Sequence, residues 1–74
     1  MGKHIPIRDL SPGDQIFLFV NDEPPGYYEV DSLRKEEESG MMIVWVWVPE
    51  EGRQVRTARY YPLRSWVVVK EQGL

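Results

Sequence analysis

The chain has no cysteine and a single histidine among its 74 residues. Without cysteine it can form neither a disulfide nor a thiolate zinc site, which are common supports of domains this small. The one histidine, His4, lies near the amino terminus, so a nucleophile elsewhere in the chain has no evident histidine base. The longest apolar run, residues 41–48, is far shorter than the ~20 residues that span a bilayer. We therefore expect no enzyme, no cofactor and no membrane association.

The size of the chain predicts one domain over residues 1–74, with an ordered part over about residues 7–70. Three Trp, four Tyr and two Phe supply large apolar side chains to a domain that is near the lower size limit for a hydrophobic core. Residues 1–6 contain no apolar run of the kind found in a signal peptide. The absence of cysteine fits a reducing compartment, so we expect a cytoplasmic protein.

Charge is distributed unevenly along this chain of net charge −3. Residues 22–38 carry seven acidic and two basic side chains, whereas residues 53–70 carry five basic side chains and no acidic one. This pattern indicates either a dipolar surface or an ordinary solvated one. The acidic run at residues 36–38 lacks the alternating oxygen ligands and the glycine of a calcium loop, so we interpret it as solvated and expect no metal site.

Turn residues divide the chain into five short segments of strand composition. Pro12 and Gly13 predict a type II turn, because glycine accepts the positive φ that the third position of this turn requires. The predicted strands are residues 15–20, 27–33, 41–48, 53–60 and 65–70, with one short helical turn at residues 61–64 before the last strand. Five short strands favour a closed all-β barrel over an open sheet, since closure removes exposed edges.

This order of strands and loops resembles that of SH3-like small barrels over residues 8–70. The segment Asp9-Leu-Ser-Pro-Gly-Asp-Gln-Ile16 is similar to the D-L-x-P-G-D-x-V opening of KOW-type and Hint-type barrel domains. The likeness to Hint-type domains ends there, because the catalytic cysteine and the histidine motif of that family are missing. Short single-barrel chains without cysteine also look similar to open reading frames of bacteria and their phages. The resemblance implies an SH3-like barrel fold. Barrels of this kind often bind RNA, DNA or ribosomal proteins.

Residues 41–60 predict a β-hairpin whose first strand is apolar on both faces. A four-residue loop at residues 49–52 would pair Val48 with Arg53, whereas a three-residue loop would invert every face. We favour the four-residue loop, because Pro49 has no N–H to offer to the strand ladder. The side chains predicted to point inward are then Met42, Val44, Val46, Val55 and Thr57, and those predicted to point outward are Ile43, Trp45, Trp47 and Arg56.

Trp45, Trp47 and Arg56 are therefore the predicted centre of a partner-binding surface, because Trp and Arg are enriched at interface hot spots. Alternation along the other strands adds Phe17, Phe19 and Trp66 as contributors. Burial of these rings by strand bending, or by the loop at residues 21–26, is the alternative. This interpretation predicts a non-catalytic interaction module that binds a protein partner or a second copy of itself.

Four arginines support a different function, that of a KOW-like RNA- or DNA-binding barrel: Arg53, Arg56, Arg59 and Arg64. Arginines beside aromatic rings suit the stacking of unpaired bases. The net charge of −3 argues against this function, since nucleic-acid-binding domains are usually basic.

Overall fold

Antiparallel β-strands make up about two thirds of residues 2–71, which are the residues that the computed structural model describes. Six strands are present: β1 (Gly2–Pro6), β2 (Gln15–Leu18), β3 (Gly26–Glu36), β4 (Met41–Glu50), β5 (Arg53–Pro62) and β6 (Trp66–Lys70). A single 3₁₀ turn, Ile7–Asp9, follows β1, and residues 2–71 contain no α-helix. The predicted all-β class is confirmed.

The strands form one sheet in the order β1-β6-β2-β3-β4-β5, in which all paired strands are antiparallel. The long strand β3 is shared, because its first residues pair with β2 and its residues from Val30 onward pair with β4. The register shifts between Val30 and Ser32, and such a bulge bends the strand. Because β1 and β5 remain as edges, the predicted closure of the barrel is not observed among residues 2–71.

The core lies on one face of the curled sheet and is aliphatic. Its buried members are Ile7, Leu10, Ile16, Leu18, Val30, Met42, Val44, Val46, Val48, Val67 and Val69. No polar or charged residue among residues 2–71 is buried. Burial of each such valine, leucine or isoleucine side chain stabilises the fold by roughly 1.5–3 kcal/mol. The core therefore forms without any tryptophan or phenylalanine, and these rings are left to the other face.

The β4–β5 hairpin closes through a two-residue turn, Glu51 and Gly52, and the predicted four-residue loop is wrong. Both residues have positive φ, 49° and 80°, as a type I′ turn requires. Val48 pairs with Val55 in place of Arg53. Because this shift is by two residues, the predicted inward and outward faces of β4 are retained. Pro49 lies within β4 and not in the predicted loop.

The amino-terminal strand β1 is missing from the sequence prediction, which has no strand before residue 15 and treats His4 as part of a disordered end. In the structure β1 pairs with β6 from Gly2 opposite Lys70 to Pro6 opposite Trp66, and His4 lies exposed opposite Val68. The segment has little apolar periodicity of its own, so only the neighbouring strand makes it extended. The prediction of five strands is corrected to six.

Two predicted turns have different outcomes. The type II turn is confirmed, since Gly13 has φ of 94° and the N–H of Asp14 donates to the carbonyl oxygen of Ser11 at 3.1 Å. The helical turn at residues 61–64 is wrong. Strand β5 continues to Pro62, and the N–H of Ser65 donates to the Pro62 carbonyl oxygen at 3.0 Å in a simple turn.

Replacing Glu51 by Asn should raise the free energy of unfolding by about 1 kcal/mol, because Asn tolerates the left-handed conformation better than Glu does. Chemical denaturation measures the difference. Glu50→Asn is the matched control, since Glu50 lies in the extended strand and gains nothing from Asn. A Glu51→Asn variant no more stable than the control would contradict the two-residue turn.

Tyr61 should make the folded state less stable in alkali. Burial raises the pKa of its phenol above the usual 10.0, and the Arg59 guanidinium partly opposes that shift. The folded state therefore holds the phenolic proton more tightly than the unfolded chain does. This stabilisation is complete below the unfolded-state pKa and is lost as pH rises through the folded-state pKa. As pH is raised from neutral to above about pH 10, the midpoint temperature of thermal unfolding should fall more steeply for the wild type than for Tyr61→Phe. Exposed Tyr60→Phe is the control, and equal slopes for all three proteins would refute the role of burial.

Candidate partner-binding surfaces

The outer face of β2, β6 and the start of β3 carries a group of aromatic rings that we name the β2–β6 aromatic surface: Phe17, Phe19, Tyr27 and Trp66. Tyr27 is half-buried, and the other three are exposed. The side chains are directed there by alternation, because Ile16 and Leu18 of β2 and Val67 and Val69 of β6 point into the core. The exposed fraction is 38% for Phe17, 73% for Phe19 and 62% for Trp66.

Direct ring contacts organise this surface. The Phe17 ring meets the Phe19 and Tyr27 rings edge-on, with centroid separations of 5.5 Å in both cases. Strands β2 and β6 pair at Ile16 and Val69, and continuing this antiparallel register brings Phe19 to the level of Trp66. At roughly 200 Å² for each ring, the exposed fractions of Phe17, Phe19 and Trp66 amount to roughly 350 Å². This area is comparable with the largest apolar patch of an ordinary monomer, roughly 300–600 Å².

The amino-terminal strand supports the same surface from the side. A Cβ atom added to Gly2 would overlap the Tyr27 hydroxyl oxygen and Cγ1 of Val68. Gly2 therefore lets the backbone of β1 approach the Tyr27 ring closely.

The outer face of β4 and β5 carries a second group, which we name the β4–β5 tryptophan surface: Trp45, Trp47, Arg56 and Tyr60. Trp47 pairs with Arg56 and Trp45 with Ala58 across the hairpin. Trp47 is 36% exposed and Tyr60 is 63% exposed. Ile43 also belongs to this face but is buried, since the long side chains of its cross-strand neighbours Arg34 and Tyr60 lie on either side of it. Its predicted outward direction therefore does not make it available to a partner.

Arg56 covers part of this second surface. Its guanidinium carbon lies 5.2 Å from the centroid of the Trp45 ring, in a cation–π contact. Its Nη1 atom lies 3.2 Å from Oδ2 of Asp31, which is at the bulge of β3. The side chain thus crosses β4 above Trp45 and leaves this indole half-buried. Trp47 and Tyr60 are the rings of this surface that remain most open.

The six residues predicted to form one binding surface are therefore divided between two. Trp45, Trp47 and Arg56 lie together on β4 and β5, whereas Phe17, Phe19 and Trp66 lie on or directly after β2 and at the start of β6. The bent strand β3 separates the two groups. Sequence reasoning missed Tyr27 and Tyr60. Tyr60 could have been found from its even spacing from Arg56, which puts both side chains on the same face of one strand. Tyr27 could have been found only from the pairing of β2 with β3, which places it opposite Phe17.

The four arginines predicted for nucleic-acid binding do not share a face. Arg59 points inward, where its Nη2 donates to the Phe19 carbonyl oxygen at 3.2 Å. Its Nε atom is buried without a hydrogen-bond partner among residues 2–71. Arg53 is exposed at the turn that starts β5, and Arg64 lies beyond the far end of this ten-residue strand. At ~3.3 Å per residue, the length of β5 holds them roughly 30 Å apart.

A polar cleft of about 540 Å³ lies between residues 20–23 and the β4–β5 turn. Its rim carries the carboxylates of Asp22, Glu23, Glu50 and Glu51, and Arg59 forms part of its wall. Within residues 2–71 no group of three or more His, Asp or Glu side chains is arranged to hold a metal ion. None of the helical structure in the same residues is long and apolar enough to cross a membrane.

Comparisons with known proteins give no match. No protein-family model matches the chain, and neither a curated protein nor a solved structure is significantly similar to it. The two surfaces are therefore assigned from the geometry of the described residues alone.

Releasing Arg56 should expose Trp45. In a background of Trp47→Phe and Trp66→Phe, where Trp45 is the only indole, Asp31→Asn should increase the quenching of its fluorescence by acrylamide, because the guanidinium loses its anchor. The free energy of unfolding should fall by no more than about 1 kcal/mol, since the Arg56 side chain of the ion pair is 53% exposed and water screens the interaction. Glu29→Gln is the control, an exposed carboxylate of the same strand. Unchanged quenching in the Asp31→Asn variant would show that the ion pair does not hold the cover in place.

Proposed function

We propose that this chain is a non-catalytic, SH3-like interaction module that binds another protein through the β2–β6 aromatic surface. One observation carries the proposal: Phe17, Phe19 and Trp66 are exposed together although the aliphatic core is complete without them. Large exposed rings on a small domain contribute little to its folding. They do contribute to binding once a partner removes them from water.

The composition of this surface suits a protein partner. Interface centres are depleted of charge and enriched in aromatic side chains, and Trp is among the most frequent hot-spot residues. The edge-on contacts that Phe17 makes with Phe19 and Tyr27 limit the rotation of these rings before binding. Such preorganisation reduces the side-chain entropy that association would otherwise remove.

The β4–β5 tryptophan surface has a secondary role in this proposal. Trp45 already contacts the Arg56 guanidinium, and Arg56 is already paired with Asp31. Binding there would have to displace or share these contacts, so less free energy is available to a partner. Trp47 and Tyr60 can extend the contact area beyond the main surface.

The SH3-like fold and a cytoplasmic location are parts of the same proposal. A bulged strand shared between two halves of a curled antiparallel sheet supports the first. The additional strand β1 and the open edges are departures from the expected barrel. The absence of cysteine supports the second.

Binding to RNA or DNA has weaker support. Arg56 is engaged by Asp31, and Arg59 by the Phe19 carbonyl oxygen. Release of either guanidinium to a phosphate group would cost these contacts. The aromatic surface contains none of the four arginines, so stacked bases there would lack the guanidinium groups on which the nucleic-acid interpretation depends.

Exchanging both Phe19 and Trp66 for Ser should weaken partner binding strongly and leave the fold intact. Affinity capture from cell lysate with nuclease treatment, followed by mass spectrometry, identifies the partner, and calorimetry then measures its affinity for each variant. The double variant should bind at least about thirtyfold more weakly, as expected for the loss of a hot spot. Thermal unfolding should change little, because both side chains are mostly exposed.

The matched control is the double variant Trp47→Ser and Tyr60→Ser, which removes two exposed rings from the other surface. It should bind within a fewfold of the wild type. Equal loss in both variants would contradict the assignment to the β2–β6 aromatic surface, and unchanged binding in both would place the interface elsewhere. Capture that disappears after nuclease treatment, with affinity that falls steeply as salt rises, would favour nucleic-acid binding instead.

A further inference from the structure

Strand β5 is an edge of the sheet along its whole length. It comprises ten residues, Arg53–Pro62, and within residues 2–71 β4 is the only strand that pairs with it. The register with β4 runs from Glu50 opposite Arg53 to Met41 opposite Pro62 without a bulge. A long, regular edge of this kind is a ready template for another extended segment.

The hairpin turn determines which backbone groups point away from β4. In a two-residue hairpin the flanking pair, here Glu50 and Arg53, is hydrogen-bonded, and the following pairs alternate between non-bonded and bonded. Pro49 and Pro62 both fall on non-bonded pairs, which is where proline is tolerated. The residues of β5 that direct N–H and C=O groups toward the open edge and retain an N–H are therefore Gln54, Arg56, Ala58 and Tyr60.

This edge is less protected than the other one. Strand β1 has five residues and includes Lys3 and Pro6, which are common protective residues at sheet edges. Strand β5 is twice as long, and its one proline is at its last position. Its protection is limited to arginine side chains, which exclude cationic or identical strands and leave acidic ones able to pair.

The positive charge of β5 favours an acidic partner over a second copy of the chain. Arg53, Arg56 and Arg59 recur every third residue, and the chain has no acidic residue from Arg53 to Lys70. Pairing with β5 of a second copy would bring three more arginines to the same ladder, and facing like charges destabilise a sheet. We propose that an acidic, extended segment of another protein binds along β5 as a seventh strand. This site is separate from the β2–β6 aromatic surface and does not depend on it.

The side-chain pattern on β5 predicts the pattern of that segment. Acidic residues at every third position would lie opposite the three arginines. Arg53 forms no ion pair within residues 2–71, and Arg56 contacts Asp31 through Nη1 alone with its side chain 53% exposed, so both retain N–H donors for a carboxylate. Arg59 already donates to the Phe19 carbonyl oxygen and would contribute its positive charge without a new hydrogen bond. Between the acidic positions, apolar residues would face Val55 and Thr57, which are partly buried on the inner side of the strand. A peptide of sequence Glu-Thr-Val-Glu-Val-Thr-Glu, capped at both ends, has this arrangement and reads the same in both directions.

Hydrogen exchange tests the proposal directly. Addition of the capped peptide should slow exchange at the amides of Gln54, Arg56, Ala58 and Tyr60, with no comparable change at β1. A peptide with Lys in place of every Glu should bind at least about tenfold more weakly by fluorescence anisotropy. Slowed exchange confined to other strands, or equal binding of the two peptides, would overturn the proposal.

Backbone-methylated peptides provide a control that leaves the protein unchanged. In an antiparallel pairing, the second, fourth and sixth residues of the peptide direct their N–H groups toward β5. Methylation of these nitrogens should reduce affinity at least about tenfold, whereas methylation of the third and fifth nitrogens should have little effect. The same loss from both peptides would contradict strand addition.

A protein variant completes the test. Ala58→Pro removes one edge-facing N–H without removing a bond to β4, and Ala58→Ser keeps this N–H. The Pro variant should lose peptide binding and the Ser variant should keep it, while the Phe19→Ser and Trp66→Ser double variant should bind the peptide like the wild type. Loss of peptide binding in that double variant would overturn the independence of the two sites. If the four amides are protected from exchange without peptide, and this protection increases with protein concentration, the occupant of the edge is a second copy of the chain and the acidic segment is refuted.

Discussion

Strand β4 is apolar on both faces, and the small core can bury only one of them. The structure buries the face of Val44, Val46 and Val48, and it leaves Trp45 and Trp47 on the other. β-Branched side chains fill the narrow space between the two halves of the curled sheet, whereas buried indoles would need room and a partner for each N–H. A slip of one residue would exchange the two faces completely. The remaining features of the molecule follow from this choice.

The first consequence is a separation of aliphatic and aromatic side chains. Strands β2 and β6 repeat the pattern of β4, with Ile16, Leu18, Val67 and Val69 inside and the rings outside. The outer rings are then available for contacts that do not stabilise the isolated chain. One of them, Trp45, is covered by Arg56, which is paired with Asp31. The two outer surfaces therefore differ in how much aromatic area is exposed.

A second consequence concerns the edges. The curl of the sheet encloses the core without joining β1 to β5, so among the residues that the structure describes the long strand β5 keeps a row of unpaired backbone groups along its open edge. The aromatic surface presents side chains and the β5 edge presents backbone. The two proposed partners would therefore meet chemically different surfaces, at positions separated by the bent strand β3.

Several features could be predicted from local pattern alone. Alternation gave the inner and outer faces of β4, and Pro12 followed by Gly13 gave the type II turn. The register of the hairpin could not be predicted in this way, because Glu51 is an unusual residue for positive φ and Pro49 is more typical of a loop. Strand β1 has too little apolar periodicity to be recognised, and it becomes extended only through its pairing with β6.

The sequence by itself determined the all-β class and which side of each main strand is apolar, because side-chain direction in a strand depends only on alternation. The tertiary structure alone decided which rings meet, which of them an ion pair covers and which strand remains at the edge. These outcomes depend on contacts between residues far apart in the chain, such as Asp31 with Arg56 and Phe19 with Arg59. Such contacts are set by the bend of β3 and by the order of the strands, and neither has a signature in local composition.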